Sequence, residues 1–137
     1  MKDEKELLHQ ALEAREKAYS PYSGFGVGAA LLTKDGMVYT GCNIENSAFT
    51  PTCCAERTAF FKAVSEGKKE FSRIAVAGGY MGKPLERIVP CGVCLQVMME
   101  FCDPQGFELV LAVSEEDYEV RRLAELLPYG FSLAPTS

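Results

Sequence analysis

Two short segments of the chain gather residues able to bind a metal ion and move protons: Cys53-Cys54-Ala55-Glu56-Arg57 and Pro90-Cys91-Gly92-Val93-Cys94. Each falls where a helix is expected to begin. Thiolates from Cys54, Cys91 and Cys94 would give zinc three protein ligands and leave the fourth tetrahedral position to water, as a catalytic site requires and a closed structural site does not. Helix N-termini carry unsatisfied amides and partial positive charge, which lower thiol pKa values and stabilise anionic ligands. Cys91 and Cys94 are three residues apart and share a helix face. Glu56 adds a carboxylate near Cys54 that could move protons between water and a substrate. In mid-helix a two-residue offset would point these side chains apart, so the pairing requires Cys54 at the helix entry. Taken alone, the Cys-x-x-Cys pair fits a redox dithiol or half of a structural zinc site equally well.

The elements that must hold these segments follow from periodicity and punctuation. Asp3 can cap a helix with apolar residues at Leu7, Leu8, Ala11, Leu12, Ala14, Ala18 and Tyr19, ended by Ser20-Pro21. Val27 to Thr33 and Met37 to Gly41 are expected as a hairpin closed by Lys34-Asp35-Gly36. Residues 54–65 form a helical run that Gly67 is placed to stop. Arg73 to Gly78 has the composition of a buried strand, and a loop from Gly79 to Pro90 leads to a third helix over 91–102, stopped by Asp103-Pro104. Phe107 to Val113 is expected as a strand, Tyr118 to Arg122 as a short one, and Leu123 to Leu127 as a helical turn ended by Pro128. This order implies an α/β fold, a three-layer α/β/α arrangement around a mixed sheet of about five strands. With no repeat, linker or second pattern, one domain over 1–137 is expected.

Bulk properties narrow the function classes. The 137 residues are 47% apolar and 24% charged, enough to support one core. The polar start, Met1 to Glu6, lacks the apolar stretch of a signal peptide, and no apolar run nears the roughly 18 residues of a membrane span. A cytoplasmic protein with no membrane partner is therefore expected. A net charge of −5 repels a phosphate backbone and argues against a nucleic-acid polymer as partner. Six cysteines (42, 53, 54, 91, 94 and 102) in a reducing compartment point to metal or catalysis rather than disulfides. The single histidine, His9, lies in the first helical pattern, where a surface or satisfied core position is expected rather than a ligand.

The succession Cys-Ala-Glu, spacer, Pro-Cys-x-x-Cys resembles the cytidine deaminase superfamily. Further matches resemble its small homotetrameric cytidine deaminases: Ala18-Tyr19-Ser20-Pro21-Tyr22-Ser23, Phe25, Val27-Gly28-Ala29-Ala30-Leu31, Gly41-Cys42-Asn43-Ile44-Glu45-Asn46, Glu56-Arg57-Thr58-Ala59, and Glu125-Leu126-Leu127-Pro128 before Phe131. The pieces are independent, stand in family order and span almost the whole chain. The resemblance implies one zinc per chain on Cys54, Cys91 and Cys94, with Cys53 a neighbour and Glu56 the proton shuttle. It further implies ribose contacts from Asn43 and Glu45, an aromatic pocket wall from Phe25, a base contact from the backbone of Ala55, and Phe131 reaching into a neighbour's site within a homotetramer. Arg57 can offset the negative charge that three thiolates leave around one Zn²⁺. In isolation Asn43 to Asn46 would pass for a polar turn and Phe25 for a core aromatic. One departure stands out: Leu95-Gln96 follows Cys94 where the family usually has Arg-Gln.

The implied activity is hydrolytic deamination of free cytidine and deoxycytidine to uridine and deoxyuridine plus ammonia, a step of pyrimidine salvage. A blasticidin-type aminohydrolase is the nearest alternative, and the intact Asn43-Ile44-Glu45-Asn46 segment favours a nucleoside over it. A polynucleotide editor would need a basic channel that the net charge does not offer. A non-catalytic zinc or redox module gives Glu56 no purpose.

Overall fold

The computed structural model describes residues 3–133. Helix α1 (Glu4–Arg15) begins where Asp3 caps it, the Asp3 carboxylate accepting the Glu6 N–H at 2.8 Å. Its apolar stripe of Leu7, Leu8 and Ala11 is buried. The helix ends earlier than Ser20-Pro21. Lys17 and Ala18 donate to carbonyls only three residues back, those of Ala14 and Arg15, and Tyr19 then leaves to bridge Ile44. Ala18 and Tyr19 therefore lie outside the helix, and Tyr19 is exposed.

Strands β1 (Phe25–Thr33) and β2 (Val38–Cys42) form the expected hairpin, turning at Gly36, whose φ of 90° suits glycine. Helix α2 (Ala55–Ser65) stops at Gly67, with φ 92°, as the amides of Gly67 and Lys68 fold back to Val64 and Ala63. Strand β3 (Phe71–Tyr80), helix α3 (Gly92–Phe101), strands β4 (Glu108–Ala112) and β5 (Tyr118–Arg122) and the short α4 (Leu123–Leu126) complete the order. Strand β3 runs two residues beyond its expected end because Gly79 and Tyr80, which resemble loop residues in sequence, pair with Gly26 and Phe25.

The five strands lie in the order β2-β1-β3-β4-β5. Every pair is antiparallel except β3–β4, whose parallel register needs the crossover that α3 supplies. One face of this mixed sheet packs Ala30, Leu32, Ala75, Val110 and Ala112 against α1. The other packs Leu31, Ile74, Val76, Leu109 and Leu111 against Phe60 of α2 and Met98 of α3, completing three layers. Glycines let the helices approach: a Cβ on Gly28 would strike the Ala11 carbonyl, and one on Gly41 the Ala55 carbonyl. That second approach seats the first turn of α2 directly on β2. No helix among the described residues is long and apolar enough to cross a membrane.

Candidate active site

Cys54 and Cys91 are the N-cap residues of α2 and α3, both with extended backbone (φ −74°, ψ 156° and φ −67°, ψ 164°). Neither side chain makes the usual N-cap hydrogen bond to its own helix. The thiols turn toward each other instead, 3.9 Å apart, and Cys94, on the first turn of α3, brings its sulfur 3.6 Å from that of Cys91. All three sulfurs lie within 4.8 Å of one another, the one metal-binding group of His, Cys, Asp and Glu side chains found among the described residues. Because Cys54 is the cap itself, Glu56 stands on the same entry turn and the required geometry is met.

The electrostatics suit a soft divalent cation. The hydrogen bond between Cys94 and Cys54 pulls the Cys54 thiol down to about 5, aided by the Arg57 guanidinium, whose Nη2 donates to the Cys54 sulfur at 3.3 Å. The same bond, with burial adding to it, pushes Cys94 up. The thiol that loses its proton most readily thus sits beside a fixed cation, and a metal would compete with the proton shared by the pair. Three converging thiols, with no fourth protein ligand among the described residues, match the donor set of an open zinc site. The other cysteines differ: Cys102 is buried and burial pushes its thiol up, while Cys42 donates to the Lys17 carbonyl at 3.4 Å. Cys53 lies beside the cluster, its sulfur accepting from the Thr58 hydroxyl at 3.6 Å.

A pocket of about 280 Å³ opens over the thiols, and its lining includes Glu56, Ala55, Phe25, Asn43 and Glu45. Five residues proposed from sequence and two of the ligands, Cys54 and Cys91, therefore meet in one cavity. Glu56 is only 4% exposed, and burial pushes its carboxyl up to about 7, where it can both hold and release a proton near neutrality. Asn43 does more than face the cavity. Its side-chain amide accepts the Val27 N–H at 2.9 Å and donates to the Phe25 carbonyl at 2.8 Å, clasping β1 where it forms the pocket wall. The Glu45 carboxylate accepts the Tyr22 and Ser23 amides at 2.9 and 3.2 Å and the Ser23 hydroxyl, bonds that hold its pKa below the ordinary value. Beneath both residues runs an irregular strip in which Tyr19 bridges Ile44 and Ile44 bridges Cys53.

Three residues need separate mention. Phe131 is absent from this pocket; it is 64% exposed, and its carbonyl accepts the Gln96 side-chain amide at 2.7 Å. Leu95 is buried in the core, and Arg57 is the guanidinium that touches the cluster. His9 is exposed and within 3.0 Å of Glu115, far from any ligand role. Sequence reasoning missed Ile88 and Val89, which complete the apolar wall from the loop before Pro90. The signal was present: two adjacent β-branched apolar residues immediately before a Pro-Cys pair.

Residues 1–107 match the family model described as the cytidine and deoxycytidylate deaminase zinc-binding region. Among similar proteins, a cytidine deaminase of Sporosarcina psychrophila is 49% identical over 130 residues, covering 95% of this chain and 92% of the relative. The fold resembles the crystal structure of cytidine deaminase from Burkholderia pseudomallei at a TM-score of 0.85 and 46% identity, over 95% of this chain and 100% of that one. A blasticidin-S deaminase of Bacillus cereus matches less of the chain, 35% identical over 88 residues and 61% of its length.

Proposed function

The chain belongs to the cytidine and deoxycytidylate deaminase family, and from that premise we propose that it is a zinc-dependent enzyme hydrolysing free cytidine and deoxycytidine to uridine and deoxyuridine with release of ammonia. The observation that carries this is the meeting, in one small pocket, of a buried carboxyl poised near neutrality with thiols from two helix entries. Cys54, Cys91 and Cys94 would hold the metal, which when bound supplies the Lewis acidity that makes water a nucleophile at neutral pH.

The chain's own residues do the rest. Glu56 takes a proton from the water that adds to C4 of cytosine and delivers it to N3, then takes the proton of the hydroxyl now on C4 and gives it to the exocyclic nitrogen, which leaves as ammonia while C4 becomes a carbonyl. Its burial keeps the carboxyl in the pKa range that serves both directions of transfer. Phe25, Val27, Ile88 and Val89 form an apolar slot for the flat base and exclude bulk water. The backbone at Ala55 offers a contact to the base, and Asn43 and Glu45, at the polar side of the pocket, take the ribose. Since both already bond to the protein, they reach the sugar through their remaining donor and acceptor capacity. Arg57 offsets the negative charge of the thiolates. Loss of cytidine ultraviolet absorbance on adding pure protein, abolished by a zinc chelator and restored by zinc, tests the activity. A deaminase of the blasticidin type is disfavoured by its shorter match, and a substrate panel separates the two.

The finer reading is a pyrimidine-salvage enzyme of the cytoplasm, one domain per chain, working as a homotetramer with shared sites. Phe131 supports sharing, because it is exposed and lines no part of its own chain's pocket. Mixing Phe131→Ala and Glu56→Ala chains under verified exchange should give more activity than Phe131→Ala alone, since some sites then join an intact Glu56 to a neighbour's Phe131. No gain sinks the shared site.

A further inference from the structure

Arg15, the last residue of α1, is 9% exposed although it sits on the sheet face opposite the pocket. Its hydrogen bonds go to backbone carbonyls: Nε to Gly26 at 2.8 Å, and Nη2 to Gly79 at 2.8 Å and Tyr80 at 3.4 Å. A planar guanidinium suits this task, because its donors form a fixed fork that can span two strands at once. It spans them where Gly26 pairs with Gly79 and Phe25 with Tyr80, the last rungs of the β1–β3 ladder. The glycine that admits Arg15 to the strand is Gly28, where a Cβ would lie 2.6 Å from the Arg15 backbone nitrogen and 2.9 Å from its Cβ.

We propose that Arg15 is a positioning residue for substrate binding, holding from behind the sheet the backbone segment that presents Phe25 and Val27 to the pocket. The segment is gripped from both edges. Asn43 holds the Phe25 carbonyl and the Val27 amide from the β2 side, and Arg15 holds the intervening Gly26 carbonyl from the β3 side. The Phe25 ring is in turn packed edge-on against Tyr80, with centroids 5.0 Å apart, and Arg15 bonds to the carbonyl of that same tyrosine. Releasing Arg15 removes one of the two side-chain grips on this segment and loosens the backbone that carries the aromatic pair, while leaving the thiols and Glu56, carried by α2 and α3, in place. The effect is on capture of the base, not on the metal or the proton transfers.

This role rests on the proposed deamination, and the test separates the two. Steady-state kinetics on cytidine would compare wild type, Arg15→Met, which keeps the stem without the donors, Phe25→Ala, and the double variant, with zinc content measured for each. Arg15→Met is expected to raise KM roughly tenfold, the equivalent of one charged hydrogen bond lost, with kcat within about twofold and zinc unchanged. In the Phe25→Ala background the same substitution should shift KM by less than about twofold, because the group it positions is gone. Equal fold-changes in the two backgrounds, an unchanged KM alongside a lower melting temperature, or a fall in kcat at constant KM each overturn the role. Should Arg15→Met not fold, Arg15→Lys takes its place in the same cycle, with a smaller rise in KM expected. A wild type inert toward cytidine overturns the functional reading and this role together; an active wild type with an additive cycle overturns this role alone.

Discussion

Helix α1 and helices α2 and α3 begin with the same physical problem, a first turn of amides with no partner inside the helix, and they answer it differently. Asp3 closes α1 with a side-chain bond at 2.8 Å. Cys54 and Cys91 occupy the equivalent positions on α2 and α3 with the same extended backbone, yet neither bonds to its own helix. The difference shows where the chain favours stability and where it favours ligation. On the α1 face a carboxylate cap serves the helix, whereas on the opposite face the cap positions are given to thiols aimed at each other, and the positive helix ends serve the cluster.

The sharpest way to break this comparison is to remove the thiols. Cys54→Ala, Cys91→Ala and Cys94→Ala should each abolish tight zinc binding and with it turnover, whereas Cys53→Ala and Cys102→Ala should keep one zinc per chain by elemental analysis. Zinc lost from the second pair alone would reassign the ligands. Next in size is Glu56→Gln, which should retain zinc and fold but lose ~10²–10⁴ in kcat, the range for a general acid–base group. Near-normal turnover would remove Glu56 from the chemistry. The smallest effects address the caps themselves. Asp3→Ala should cost about 1 kcal/mol in denaturant unfolding without touching zinc content or kcat. In metal-free protein Cys91→Ser should do the reverse, adding up to about 1 kcal/mol because serine caps a helix well where cysteine here does not. If metal-free Cys91→Ser is no more stable than the metal-free parent, the cap of α3 is not vacated in favour of the ligand.

Local pattern made the elements and the ligand segments legible. The Asp35-Gly36 turn, the Gly67 stop and the Cys91 helix entry are all written in residue types whose conformational preference acts over a few bonds. What escaped is non-local. Gly79 and Tyr80 became strand only because Gly26 and Phe25 lay opposite, and Tyr19 left its helical pattern for a bridge to Ile44. The strand order and the single parallel pair also depend on how α3 crosses the sheet, which no window of sequence encodes. Within the site, the family resemblance pointed to Asn43 and Glu45, which do line the pocket, but not to their engagement with β1 and the Tyr22-Ser23 turn. Ile88 and Val89 reach the pocket through a loop whose path only tertiary structure fixes.

The strip that joins Tyr19, Ile44 and Cys53 carries a consequence for local unfolding. The amides of Tyr19, Ile44, Glu45 and Cys53 all donate to main-chain carbonyls, at 2.8–2.9 Å, although none of them belongs to the five-stranded sheet. These bonds tie the segment that follows α1, residues 43–45 and the entry to α2 into one strap built from main-chain pairs. Its amides should therefore exchange with deuterium slowly and as a group, at rates closer to those of β1 than to those of an ordinary surface loop. Substitutions at Ile44 that leave the main chain able to pair should scarcely alter that protection, whereas proline there, which removes one donor, should release the whole strap at once.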